Sequence, residues 1–107
     1  MQELEETLKI KILEVDGKTQ RLIFGAWTVD EKQMKIGAAE CDTDREPMWR
    51  LIIPSWPPVA SSTLEAIQGP LFQDYFSLLF MQYHKNEDCF LKVNNECGNV
   101  SFSVMSA

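Results

Sequence analysis

Four carboxylates, Glu40, Asp42, Asp44 and Glu46, occupy alternate positions in one short stretch. In an extended backbone alternate side chains fall on one side, so the four would form a single acidic row. Such a row suits a basic partner protein and speeds its approach by attraction. The spacing Asp42-x-Asp44-x-Glu46 also resembles the opening of a calcium loop. That loop needs Gly at its sixth position and a bidentate Glu at its twelfth, where this chain has Pro47 and Ile53. No calcium site is expected, and a solvated connection between two strands is the plainer role of the row.

A second set is His84, the sole histidine, with Cys89 and Cys97. Zinc takes both residue types, but structural sites use four ligands at paired short spacings. These three are scattered, and no metal is expected. A cysteine nucleophile needs a base and an oxyanion site, and nothing beside Cys41 or Cys89 announces either. No Gly-rich phosphate loop, GxSxG, HExxH or CxxC motif occurs. The expectation is a non-enzymatic chain with no cofactor. Three cysteines without paired spacing point to a reducing cytosol and not to a disulfide framework.

The remaining chemistry is that of surfaces. Residues 51–84 contain no Lys or Arg, and only Glu65 and Asp74 carry charge. Interface cores are poor in charge and rich in aromatics and Met, as this segment is; filling the domain core is the competing role. Within it, Trp56 sits among Pro54, Pro57 and Pro58, where a stiff loop loses little entropy on docking. Trp27 and Trp49 fall on strands and are expected in the core. The residues nominated for a partner are therefore Glu40, Asp42, Asp44, Glu46, Trp56, Phe72, Phe76 and Tyr83. An alternative is a small-molecule-binding domain or enzyme with an apolar pocket between sheet and helix, lined by Trp27, Trp49, Phe76 and Phe80.

Bulk charge narrows the partner. Ten Lys and Arg against sixteen Asp and Glu in 107 residues give a formal net charge of −6. DNA and anionic lipid both select for a basic face, so neither nucleic acid nor a membrane is expected. Lys9, Lys11, Lys18, Arg21, Lys32 and Lys35 do gather in the first third, but Glu14, Asp16, Asp30 and Glu31 dilute them. The acidic N-terminus lacks the positive charge and apolar run of a signal peptide. The most apolar stretch, Leu71 to Tyr83, is broken by Gln73, Asp74, Ser77 and Gln82 and falls short of the ~20 residues that span a bilayer.

The elements that must position these residues follow from periodicity. Alternation over Leu8 to Ile12 predicts a strand with one face on the core. Asp16-Gly17-Lys18 predicts a hairpin turn into a second strand, Gln20 to Val29. There Leu22, Phe24 and Ala26 share one face and Ile23, Trp27 and Val29 the other, the pattern of a central strand covered on both sides. Met34 to Cys41 is a weaker strand, with Met34, Ile36 and Ala38 on one face. Met48 to Ile53 again looks covered on both sides, with Trp49, Leu51 and Ile53 together. Pro54 to Pro58 must leave the sheet. Ser62 with Glu65 fits a capping box at a helix start, and Gly69-Pro70 breaks and restarts the helix. Its apolar arc is wide enough that part of residues 71–83 is expected to meet a second subunit. Cys89 to Val93 and Val100 to Met105 close the chain as a hairpin about a turn at 94–99.

One α+β domain over residues 1–107 results, ordered ββββ-αα-ββ, with a mainly antiparallel sheet and a broken helix on one face. Its latter half, a strand ending Leu51-Ile52-Ile53-Pro54, an aromatic helix and a closing hairpin, resembles the small acidic chaperones of type III secretion effectors in element order. Those chaperones have a helix before the sheet and another after it, which this chain lacks. The resemblance implies a dimer that binds an effector. The residues themselves favour a small acidic cytosolic inhibitor, antitoxin or immunity-type protein that occludes a basic site on a toxin or other enzyme.

Overall fold

Alternating apolar residues place six strands in one sheet. The computed structural model describes residues 5–16, 18, 21–29, 34–42, 45, 48–53 and 56–106. Among these, β1 (Glu5–Asp16), β2 (Arg21–Thr28), β3 (Lys35–Cys41), β4 (Trp49–Ile52), β5 (Cys89–Glu96) and β6 (Asn99–Ser106) pair antiparallel in the order β4-β3-β2-β1-β5-β6. Helices α1 (Ser61–Ile67) and α2 (Pro70–His84) carry the chain from the β4 edge across one face of the sheet to β5. The expected α+β class and element order are both present.

β1 is longer than its alternation suggests because ladders to β2 and β5 hold its polar ends. The register shifts between Ile12 and Glu14, a bulge that keeps Val15 opposite Leu22 on the inner side and Glu14 opposite Ile23 on the outer. On the inner face Leu8, Ile10, Phe24, Leu91 and Val93 are fully buried under Phe72, Phe76 and Leu79 of α2. Phe76 meets Phe24 edge-on at 5.9 Å and Trp49 at 5.3 Å, the tilted geometry that ring quadrupoles favour. Pro70 opens α2 at its first turn, as expected from Gly69-Pro70.

Two local expectations change. The Ser62–Glu65 capping box does not form: the N-cap is Ala60, with no side-chain cap, and its N–H donates instead to Glu6 Oε1 of β1 at 2.7 Å. Ser62 is drawn elsewhere. Residues 94–96 belong to β5, and the turn is only Cys97 and Gly98, both at positive φ (54° and 95°), the twist a tight hairpin needs. Asn95 therefore points inward at 0% exposure. Its Nδ2 donates to Ser62 Oγ at 2.8 Å and Thr63 Oγ1 at 2.9 Å, and its Oδ1 accepts from the Gly98 N–H at 2.9 Å. One buried amide thus ties α1 to the closing hairpin. No helix among the described residues is long and apolar enough to cross a membrane.

Candidate functional site

The helices cover one face of the sheet; the other face of β2, β3 and β4 is apolar and, among the described residues, has no helix over it. Ile23, Ile36 and Ile52 are 37%, 49% and 49% exposed, with Met34 exposed at the same end as Ile36. Strand register puts them there. Ile23, Ala38 and Ile52 form one transverse row, and Gly25 with Ile36 the next. Side chains alternate, so these point away from the buried Phe24 and Ala39. An open hollow of about 510 Å³ lies over them, with Glu14, Asp16 and Arg21 at its margin. The expectation that β2 and β4 are covered on both sides is corrected: β2 is central in the sheet, but its outer face has no helix over it, and β4 is an edge strand.

A row of charge borders this apolar face. Register sets Asp16 opposite Arg21, Arg21 opposite Glu40, and Glu40 opposite Arg50, so the signs alternate across four strands. Arg50 Nη2 donates to Glu40 Oε2 at 3.0 Å, and Arg21 Nε lies 3.9 Å from Glu40 Oε1. The hydrogen bond to Glu40, then the nearby Asp42, holds the Arg50 guanidinium more firmly protonated than usual. Exposed pairs of this kind add little stability. They fix instead where each charge sits.

The residues nominated from sequence are dispersed. Glu40 is engaged by two arginines and is no longer an open carboxylate, while Asp42 lies exposed just past β3, its N–H donating to Met48 O at 2.9 Å. Asp44 and Glu46 lie outside the described residues. Phe72 and Phe76 are fully buried, which corrects their assignment to a partner surface: they fill the space between α2 and the sheet. The large apolar side chains that α2 turns outward are Leu71, Leu78 and Met81. Tyr83 is half-buried, with its hydroxyl donating to Leu13 O at 3.4 Å. Trp56 is half-buried, packed on the core with its ring 6.3 Å from Phe24.

The pocket expected from Trp27, Trp49, Phe76 and Phe80 is not assembled. Trp27 pairs with Lys9 on the outer face, one residue past the inward Ala26. Trp49 contacts Phe76 at 5.3 Å and Phe80 at 4.9 Å, ring against ring. His84 is exposed with its ring 4.3 Å from Phe80, and no cluster among the described residues could hold a metal ion. Burial, then the nearby Glu87 and Asp88, pushes the Cys89 thiol up, which leaves it protonated and poorly nucleophilic.

Sequence reasoning missed Gln73 and Ser77. Gln73 donates through Nε2 to Trp49 O at 2.8 Å and accepts from Trp49 N at 2.6 Å, while Ser77 Oγ accepts from the indole at 3.1 Å. Gln73 thus pairs the backbone of Trp49 on the open edge of β4, where an unpaired group would invite another strand, and Ser77 pins the indole. Their signal was visible as two polar residues four apart in an apolar helix. The bare isoleucine face was missed for a different reason, since alternation gives two faces without saying which one a helix covers.

What the geometry defines is a two-layer α+β domain, helices on one side and a half-bare sheet on the other. No known protein family, curated protein or solved structure matches the chain.

Proposed function

We propose that this chain is a small acidic protein-binding module that acts by covering a site on another protein. The observation that carries this reading is the contiguous apolar face of Ile23, Ile36 and Ile52, open to solvent and bordered by ordered charge. Single exposed apolar residues are ordinary on protein surfaces; a grouped patch beside polar residues marks a docking surface. The finer form is an inhibitor, antitoxin or immunity-type protein that occludes a basic site on an enzyme. The net charge of −6 and the exposed Asp42 support it. A reducing cytosol is the proposed location. Cys41 lies three strands away from Cys89, and Cys97 is at the far end of β5 from Cys89, separations beyond disulfide reach.

The full chain and its Ile36→Glu variant, immobilised and exposed to extract of the native host at low and high salt, test this. A protein retained at low salt, weakened at high salt and lost on the variant supports the reading. Failure of the wild-type chain to retain any protein at low salt counts against the inhibitor form. A second reading, a dimer of the secretion-chaperone kind paired through residues 71–83, is favoured by the outward Leu71, Leu78 and Met81 of α2.

A further inference from the structure

The bare half-face carries a pattern that fits one occupant. Resting on the reading of that face as a docking surface, we propose that what docks there is a second copy of this chain, related by a two-fold axis parallel to the strands and midway between β2 and β3.

The charge row selects this arrangement. From β1 to β4 it runs Asp16, Arg21, Glu40, Arg50: negative, positive, negative, positive. An axis parallel to the strands turns one copy's row end for end over the other. Asp16 then faces the second copy's Arg50, Arg21 faces its Glu40, and every contact across the interface joins opposite signs. Glu14, opposite Ile23 in the next row, falls over the second copy's Ile52, one row along the strand from that Arg50. An axis across the strands would instead carry the row to the other end of the face, against Gly25 and Ile36, and lose all of these contacts.

Side-chain size follows the same symmetry. Ile23 and Ala38 are cross-strand neighbours, so the axis sets each Ile23 over the second copy's Ala38, large on small, twice. The hollow over Ala38, walled by Ile36 and Ile52, is the space Ile23 enters. Sheets stacked in this way lie about 10 Å apart with strands within about 30° of each other, the common aligned packing. Strands ~4.8 Å apart, with the four-residue β4 limiting the shared length, present at most roughly 400 Å² of projected face per copy, under the roughly 1,000 Å² in total that a stable pair clears and in the range of a weak, transient one. Dissociation in the micromolar range is expected. The outward stripe of α2 offers no equivalent match, because Asp74, between Leu71 and Leu78 on the helix surface, is its only charge.

Sedimentation velocity of the full chain from low micromolar to near-millimolar concentration tests the proposal. The wild type is expected to shift from monomer to dimer, Ile36→Glu to stay monomeric, and Leu78→Glu to dimerise like the wild type. Asp16→Arg or Arg50→Glu alone sets like charges together twice and weakens association by roughly tenfold. Mixing the two single variants makes every contact opposite again and restores association, a rescue that misfolding cannot imitate. A wild type monomeric throughout, a mixture no better than its components, or loss of the dimer on Leu78→Glu overturns the proposal. If the wild type is monomeric yet a foreign protein is retained and lost on Ile36→Glu, the docking face stands and the second copy falls. If the mixture pairs and no foreign protein is retained, the dimer stands and the inhibitor form falls.

Discussion

Two apolar clusters lie back to back on β2, β3 and β4. The inner one, around Phe24, Ala39 and Trp49, is buried under α2; the outer one, Ile23, Ile36 and Ile52, is open. Both arise from the same alternation, so side-chain chemistry does not distinguish them. Coverage does, because among the described residues both helices lie on one face. The rest of the outer face shows that bareness alone is not the point. On β1, β5 and β6 it presents Lys9, Lys92, Asn94, Ser101 and Ser103, and Lys9 Nζ lies 4.9 Å above the Phe90 ring. That half is mainly polar and suited to water, with Met105 exposed among these neighbours. The apolar half is not, which is why its missing cover is informative.

The largest effect expected is on the inner cluster. Phe76 is fully buried between Phe24, Trp49 and Phe72, so Phe76→Ala should destabilise by about 3–5 kcal/mol in urea unfolding. A loss under about 1 kcal/mol would mean that this cluster is not the core and the comparison fails. Asn95 comes next. Asn95→Ala removes both donated bonds and leaves the Gly98 N–H without its acceptor, at a cost of about 1–3 kcal/mol. The same measurement checks it, and a neutral result would show that the hairpin and α1 hold together without the amide.

How far the sequence shows these two faces depends on what each residue type declares. The strands, the Gly69-Pro70 break and the helix pair declare themselves through period, glycine and proline. Asn95 does not: an Asn-Asn pair before Gly98 reads as turn, and only the three-dimensional neighbours Ser62 and Thr63 make it a strand residue. Those same contacts explain why Ser62 fails as a cap. The acidic row was legible as spacing, but the pairing of Glu40 was not, because Arg21 and Arg50 approach it from neighbouring strands. Phe72 and Phe76 were legible as an uncharged aromatic helix, and period alone could not say whether that helix faced its own sheet or a stranger.

Thiol reactivity separates covered from uncovered positions without any change of sequence. Cys89 is buried on the inner side and its pKa is raised. A raised pKa means less thiolate at any given pH, so alkylation at mildly alkaline pH should label the exposed Cys97 well before Cys89. Mass mapping of the labelled peptides reads the order. Equal rates would show that the inner face opens as readily as the turn.

The smallest effect expected is the one that defines the outer cluster. Ile36→Thr keeps a β-branched side chain on an exposed strand position, so in dilute solution its unfolding free energy should stay within about 0.5 kcal/mol of wild type. A loss comparable to Phe76→Ala would make the outer cluster part of the monomer's own core. The informative measurement is the same unfolding curve at high protein concentration. Association stabilises whatever it binds by mass action, so the wild-type midpoint should rise with concentration while that of Ile36→Thr rises less. A difference that is absent when dilute and present when concentrated assigns the outer isoleucines to a contact between chains, and the inner phenylalanines to the chain itself.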